Sequence, residues 1–158
     1  MPFNRSTDDP WSAIEGRYDK ALLTNQTTTS NVVGDVPGTS FNVEANQSYS
    51  FEFVLFTGCS GTGGIKFALN LPAGATFRAS AHGMAALATA ITSAIMNVIN
   101  TLTSIVFNNA NLQTGWVRIT GTVVNGANAG VAQLRFASGT NGQTSTIYAN
   151  STPHAVKL

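Results

Sequence analysis

Residues 49–56 alternate. Tyr49, Phe51, Phe53 and Leu55 fall on one side of an extended chain, and Ser50, Glu52, Val54 and Phe56 on the other. This period of two predicts a strand with one buried face. From Thr39 onward Phe41 and Val43 begin the same pattern, and Ile65, Phe67, Leu69 and Leu71 resume it after Gly58-Cys59-Ser60-Gly61-Thr62-Gly63-Gly64. That run of small residues predicts a turn, hence a hairpin, which Pro72-Ala73-Gly74 then stops. Residues 116–124 and 131–137 read as strands on either side of the loop 125–130, and residues 147–158 as a closing strand pair or edge strand. Short strands between Gly and Asn turns, with no helix of crossover length, predict an all-β fold. The expected form is an antiparallel β-sandwich or jelly-roll-like domain over residues 23–158.

Two segments break the pattern. In residues 84–107, Met84, Leu87, Ile91, Ile95, Val98, Leu102 and Ile105 recur at intervals of three and four, as on a helix face. Many β-branched residues, and no Glu, Lys, Arg or Gln for a wet helical face, argue for strands. Leu87, Ile91, Ile95 and Ile99 also fit every second outward position of a strand, and strands are the expectation here. In residues 1–22, Asp9 suits a helix cap with Pro10 at the first turn, and Trp11, Ile14, Tyr18 and Leu22 follow at helical spacing. This predicts a short N-terminal arm with one apolar stripe. Trp11, Ile14, Arg17 and Tyr18 are candidate partner-interface residues. Two readings stay open for them: a lid on the chain's own core, or an anchor in a partner.

Composition sharpens the picture. The 158 residues suffice for one domain with its own core. A hydrophobic share of 43% argues against disorder, yet only 9% of residues are charged, against roughly 25% in ordinary globular proteins. Asn, Gln, Ser, Thr and Gly carry the polarity instead, in the runs 25–31, 108–114 and 140–146. Of the 15 Asp, Glu, Lys and Arg residues, seven lie in the first 20 positions, which sets the arm apart. A net charge of +1 and the absence of Lys/Arg clusters with interleaved aromatics argue against nucleic acid as a direct partner. No stretch of about 20 apolar residues predicts a membrane span, and no apolar signal core follows Met1, so a soluble, unexported product is expected.

Little in the chain suggests catalysis. Gly58-Cys59-Ser60-Gly61-Thr62 resembles a nucleophile elbow, but Thr62 stands where the second glycine is required. No Lys-Ser/Thr follows Gly63 to make a phosphate loop. Cys59 is the single cysteine, which excludes an internal disulfide and fits a small buried hydrophobe. His82 and His154 have no second ligand at metal-binding spacing beside them. Glu44 and Glu52 would share a strand face only if no turn at Asn46-Gln47 divided them. Glu52, Lys66, Arg118 and Arg135, charged residues within strand patterns, read as a solvated face or as ion pairs between subunits. Trp116 is a candidate glycan platform, although a core position is the commoner role for a strand Trp. No enzyme, cofactor or metal is expected.

Residues 123–138, Val-Val-Asn-Gly-Ala-Asn-Ala-Gly-Val-Ala-Gln-Leu-Arg-Phe-Ala-Ser, resemble a module of tailed-bacteriophage virion proteins. There a strand with an internal glycine leads through an Asn/Gly turn into a strand ending in Arg-Phe-Ala-Ser, and a short strand follows. Thr120-Gly121, Arg135-Phe136-Ala137-Ser138 and Thr146-Ile147-Tyr148-Ala149 match these elements, and Ala45-Asn46-Gln47-Ser48-Tyr49-Ser50-Phe51-Glu52 resembles the family's turn and Tyr-x-Phe-Glu strand start. The resemblance spans roughly residues 22–158, with Ala149-Asn150-Ser151 where the family pattern has Gly-Ser. It implies a β-rich virion structural protein, in the first place a capsid decoration (cement) protein. In that role it binds between capsomers to the major capsid protein as a homotrimer. The alternative it implies is a tail, baseplate or fibre-associated module that binds a receptor or glycan.

Overall fold

The computed structural model describes residues 17–60, 64–85, 91–101, 103–105 and 113–158. Among these the strands are β1 (Arg17–Asp19), β2 (Gln26–Thr28), β3 (Gly34–Asp35), β4 (Phe41–Val43), β5 (Ser48–Cys59), β6 (Ile65–Asn70) and β7 (Thr76–Ala85). They continue as β8 (Thr92–Met96), β9 (Thr103–Ile105), β10 (Gln113–Val124), β11 (Gly130–Ser138), β12 (Ser145–Ile147) and β13 (Thr152–Lys157). The larger sheet runs β1-β13-β5-β10-β7-β8, with β12 beside β5 and β2 beside β12. The smaller runs β3-β11-β6-β9, with β4 also on β11. All described pairings are antiparallel. The fold is the expected antiparallel β-sandwich.

The core lies between the sheets. Tyr49, Phe51, Phe53 and Leu55 of β5, with Val117, Ile119 and Val123 of β10, face Phe41 and Val43 of β4, Ile65, Phe67 and Leu69 of β6, and Leu134 and Phe136 of β11. Phe51 and Phe53 lie 5.5 Å apart, and Phe41 lies 6.4 Å from Phe51. The alternation in β5 holds along the strand: its odd-numbered residues from 49 to 55 are buried and its even-numbered ones from 48 to 56 are not. Phe51, Phe53, Phe67 and Phe136 all take the core positions that their spacing assigns them.

Connectivity departs from the sequence reading. The expected hairpin of residues 49–71 does not form. β5 pairs with β10, β12 and β13, whereas β6 pairs with β11 and β9, so the two strands belong to different sheets. Residues 147–158 do not pair with each other either: β12 and β13 lie one after the other along the same edge of β5, opposite residues 57–59 and 49–54. Strands begin before Thr39, and Tyr18 lies in β1 rather than in a helical turn. Residues 17–22 thus add an edge strand and the buried Leu22 to the sandwich. Residues 84–107, where described, contribute the end of β7, all of β8 and β9, in agreement with the strand expectation.

The motif residues have physical work in the loops. Asn125 is buried, and its Nδ2 donates to Glu44 O at 2.7 Å and to Asn128 O at 2.9 Å, tying the β10–β11 loop to the turn before β5. Asn128 Nδ2 in turn donates to Ala73 O at 2.9 Å. Asn150 takes φ 67, a left-handed conformation that Asn tolerates better than most residues. It thereby does the work of a glycine. Ser151 beside it accepts from Phe56 N at 3.0 Å and donates to Tyr148 O at 2.8 Å.

Gly121 sits mid-strand in β10, between Phe51 of β5 and Ala79 of β7. A Cβ there would lie 2.3 Å from Arg78 O and 2.7 Å from Ala79 Cβ. Gly121→Ala is therefore expected to destabilise the fold by about 1–3 kcal/mol through overpacking. Gly34→Ala, where a Cβ meets nothing within 4 Å, should change stability by less than about 0.5 kcal/mol. Urea denaturation of the two variants checks this, and equal midpoints would contradict it.

Candidate functional site

The strand alternation that buries one face of the larger sheet leaves the other to solvent. Register orders this outer face into rows. Phe56 of β5 lies opposite Trp116 of β10, which lies opposite Met84 of β7. In the next row stand Val54, Arg118, His82 and Ser93, and beyond it His154, Glu52, Thr120, Ser80 and Ile95.

The polar rows pair internally. Arg118 Nε and Nη2 donate to the two carboxylate oxygens of Glu52 at 3.0 and 2.9 Å, and this fork raises the Arg118 pKa further. His82 Nδ1 lies 3.0 Å from Ser93 Oγ, and Ser80 Oγ 3.4 Å from Thr120 Oγ1. Such exposed contacts hold side chains in place and add little stability.

The apolar row is open to a partner. Phe56 is 48% exposed, and Trp116 and Met84 are half-buried. Tyr148 closes one end of this row: its ring lies over Gly58, where a Cβ would stand 2.5 Å from the Tyr148 hydroxyl oxygen. Gly58 thus belongs to this surface as the residue that lets an aromatic ring lie on the sheet. At the far edge Ile91 and Ile95 are 58% and 77% exposed. Large apolar side chains gathered on an open face mark a contact surface more strongly than scattered ones do.

The sequence candidates divide between two places. Trp116 is on the outer face and not in the core. Trp11 and Ile14 lie outside the described residues. Arg17 and Tyr18 sit at the opposite edge of the sheet, in β1. Tyr18 turns inward, 6.2 Å from Phe41, and its hydroxyl donates to Gly38 O at 3.2 Å. With Arg17, Asn42, Glu44 and Tyr49 these rings line a cleft of about 200 Å³. Glu44 and Glu52 do not form a carboxylate pair, since Lys157 Nζ holds Glu44 at 2.8 Å and Arg118 holds Glu52. Among the described residues no three His, Cys, Asp or Glu side chains gather around a common point. Cys59 is buried at the end of β5, and desolvation pushes its thiol pKa up, only partly offset by a hydrogen bond with the Gly64 backbone. It is a core residue.

Phe56, Met84 and Tyr148 join the site without having been singled out by sequence. The outward direction of Phe56 is legible in the alternation of residues 49–56. Its position opposite Trp116 depends on a pairing between residues 60 apart, which no local pattern carries.

No protein-family model matches this chain, and no curated protein is similar to it. Among solved structures it is similar to TmCBM61 in complex with β-1,4-galactotriose, at 12% identity over 77% of this chain and 86% of that one, with a TM-score of 0.34. It is also similar to the structure of the infectious bursal disease virus Gx strain, at 13% identity over 90% of this chain and 41% of that one, TM-score 0.22. The VP2 subviral particle of the same virus gives 12% identity, 90% and 40% coverage, and a TM-score of 0.23. All three TM-scores fall below 0.5.

At the β1 edge Asp19 accepts hydrogen bonds from Arg17 and His154. Partial desolvation opposes ionisation of Asp19, but these hydrogen bonds and the charges behind them outweigh it and hold its carboxyl below the usual carboxylate range. The folded-state pKa is thus depressed, so the contribution is fully present above the unfolded value of about 3.9 and is lost as pH falls through the folded one. Asp19→Asn should loosen β1 by no more than about 1 kcal/mol at neutral pH. The difference from wild type should vanish in strong acid. Amide exchange of residues 17–19 against pH reads this out, and a difference that grows toward low pH would reverse the sign.

Proposed function

We propose that the chain is a non-enzymatic structural subunit of a tailed-phage virion, in the first place a capsid decoration (cement) protein acting as a homotrimer on the major capsid protein. The observation that carries this is the row of Phe56, Trp116 and Met84 on the open face of a sheet whose neighbouring charges are already paired to each other. Such a face gains little from water or from a charged ligand and gains from burial against another protein, at about 25 cal/mol per Å² of apolar area. The resemblance of residues 45–52 and 120–149 to virion modules supports the same class.

The geometry suits a bridging subunit. Residues 1–16 precede β1 at one edge of the larger sheet, and Ile95 lies on β8 at the other. Five strand spacings of about 4.8 Å separate these edges by roughly 24 Å. A sheet of this width can touch two neighbouring capsid subunits at once, and interface area shared between them stabilises the shell.

A second reading has its own observation. Trp116 lies beside half-exposed Phe56 on a solvent face, an arrangement suited to stacking a sugar ring, with Arg118 and Glu52 close by for hydrogen bonds. This would place the chain in a tail, baseplate or fibre as a glycan-binding module.

Binding of the purified chain to empty capsids stripped of accessory proteins separates the readings. The cement reading expects saturable binding, weakened at least tenfold by Trp116→Ala with Phe56→Ala and weakened again by deletion of residues 1–16, which leaves β1 intact. Folded chain that ignores capsids but binds glycans in a Trp116-dependent way would overturn it in favour of the tail.

A further inference from the structure

The two edges of the larger sheet are built differently. β1 carries Arg17 and Asp19, with Lys20 following, the charged guard that natural edge strands commonly use against unwanted pairing. β8 carries Thr92-Ser93-Ala94-Ile95-Met96 and no such guard. Among the described residues no strand pairs with its outer side. From Ala79 to Val117 the sequence has no Asp, Glu, Lys or Arg at all. Within this stretch Ile91, Ile95 and Val98 are 58%, 77% and 56% exposed.

A soluble protein that leaves a sheet edge uncharged and its isoleucines bare has a partner for them. We infer that the partner is another copy of this chain, and that copies meet through the β8 edge around Ile91, Ile95 and Val98. Charge decides the occupant. In a symmetric assembly the same residues recur on every copy, and near a rotation axis each charge faces its own like. A surface lacking every ionisable carboxylate, amine and guanidinium meets itself without repulsion. A basic or acidic partner would find nothing there to pair with. The charged β1 edge, by contrast, is guarded against pairing of the same kind.

The contact follows from the strand edge and not from the capsid reading, so the two fail separately. Sedimentation velocity of the full-length chain over a wide concentration range should show self-association. Ile95→Lys and Ile91→Lys should each weaken it at least tenfold, with far-ultraviolet circular dichroism unchanged. Val131→Lys, on the smaller sheet, and Leu23→Lys, in a loop, remove other exposed apolar groups and should leave association intact. Ile95→Cys provides a variant without added charge: under mild oxidation it should form a disulfide between copies much faster than Leu23→Cys, with Cys59 buried in both. A wild-type chain that stays monomeric, lysine variants that associate like wild type, or equal cross-linking from both cysteines would each overturn the proposal. A monomer that still bound capsids would leave the cement reading standing.

Discussion

Twelve residues of β5 hold this molecule together. They occupy the centre of the larger sheet, with β10 along one side and β13 followed by β12 along the other. Because successive residues must point to opposite faces, the side chains that commit Tyr49, Phe51, Phe53 and Leu55 to the core also commit Glu52, Val54 and Phe56 to the outer surface. A slip of one residue would exchange the two sets. The register of the core and the composition of the open face are therefore a single constraint, and the position of Trp116 beside Phe56 follows from it.

Much of this is readable from the chain because it is local. Period-two alternation with large aromatics leaves β5 little choice, and small-residue runs mark where strands end. The segment around β8 shows how two periods coincide: Ile91 and Ile95 are four apart, as on a helix, yet residues four apart also share a strand face. The lack of charged side chains for a wet helical side decides between them. What escapes the sequence is long-range. Gly58 to Gly64 has the composition of a turn, but composition does not say whether the strands on either side join one sheet or two. Three-residue strands such as β1 are too short to show any period, so Tyr18 and Leu22 read as a helical stripe when their real partners are Phe41 and the core. The open apolar row was legible in part, through Trp116 and the outward parity of Phe56, and its assembly from β5, β10 and β7 was not.

The same economy of charge runs through fold and surface. With few ionisable groups, the chain uses Asn125, Asn128, Asn150 and Ser151 to hold its loops by hydrogen bonds, and it pairs the outer-face charges Arg118 and Glu52 with each other. What is left uncovered is apolar: a band from Phe56 through Trp116 to Met84, and Ile91 and Ile95 at the edge of the same sheet. Such a surface suits association with neighbours by burial, where fit matters more than electrostatic steering.

The proposal that this band is an assembly surface is tested most directly by hydroxyl-radical footprinting of the chain free in solution and assembled on empty phage capsids. The account predicts that oxidation of Phe56, Met84 and Trp116 falls severalfold on assembly, with the buried Met96 low in both states as the internal reference. Undiminished labelling of those three residues in the assembled particle would contradict it.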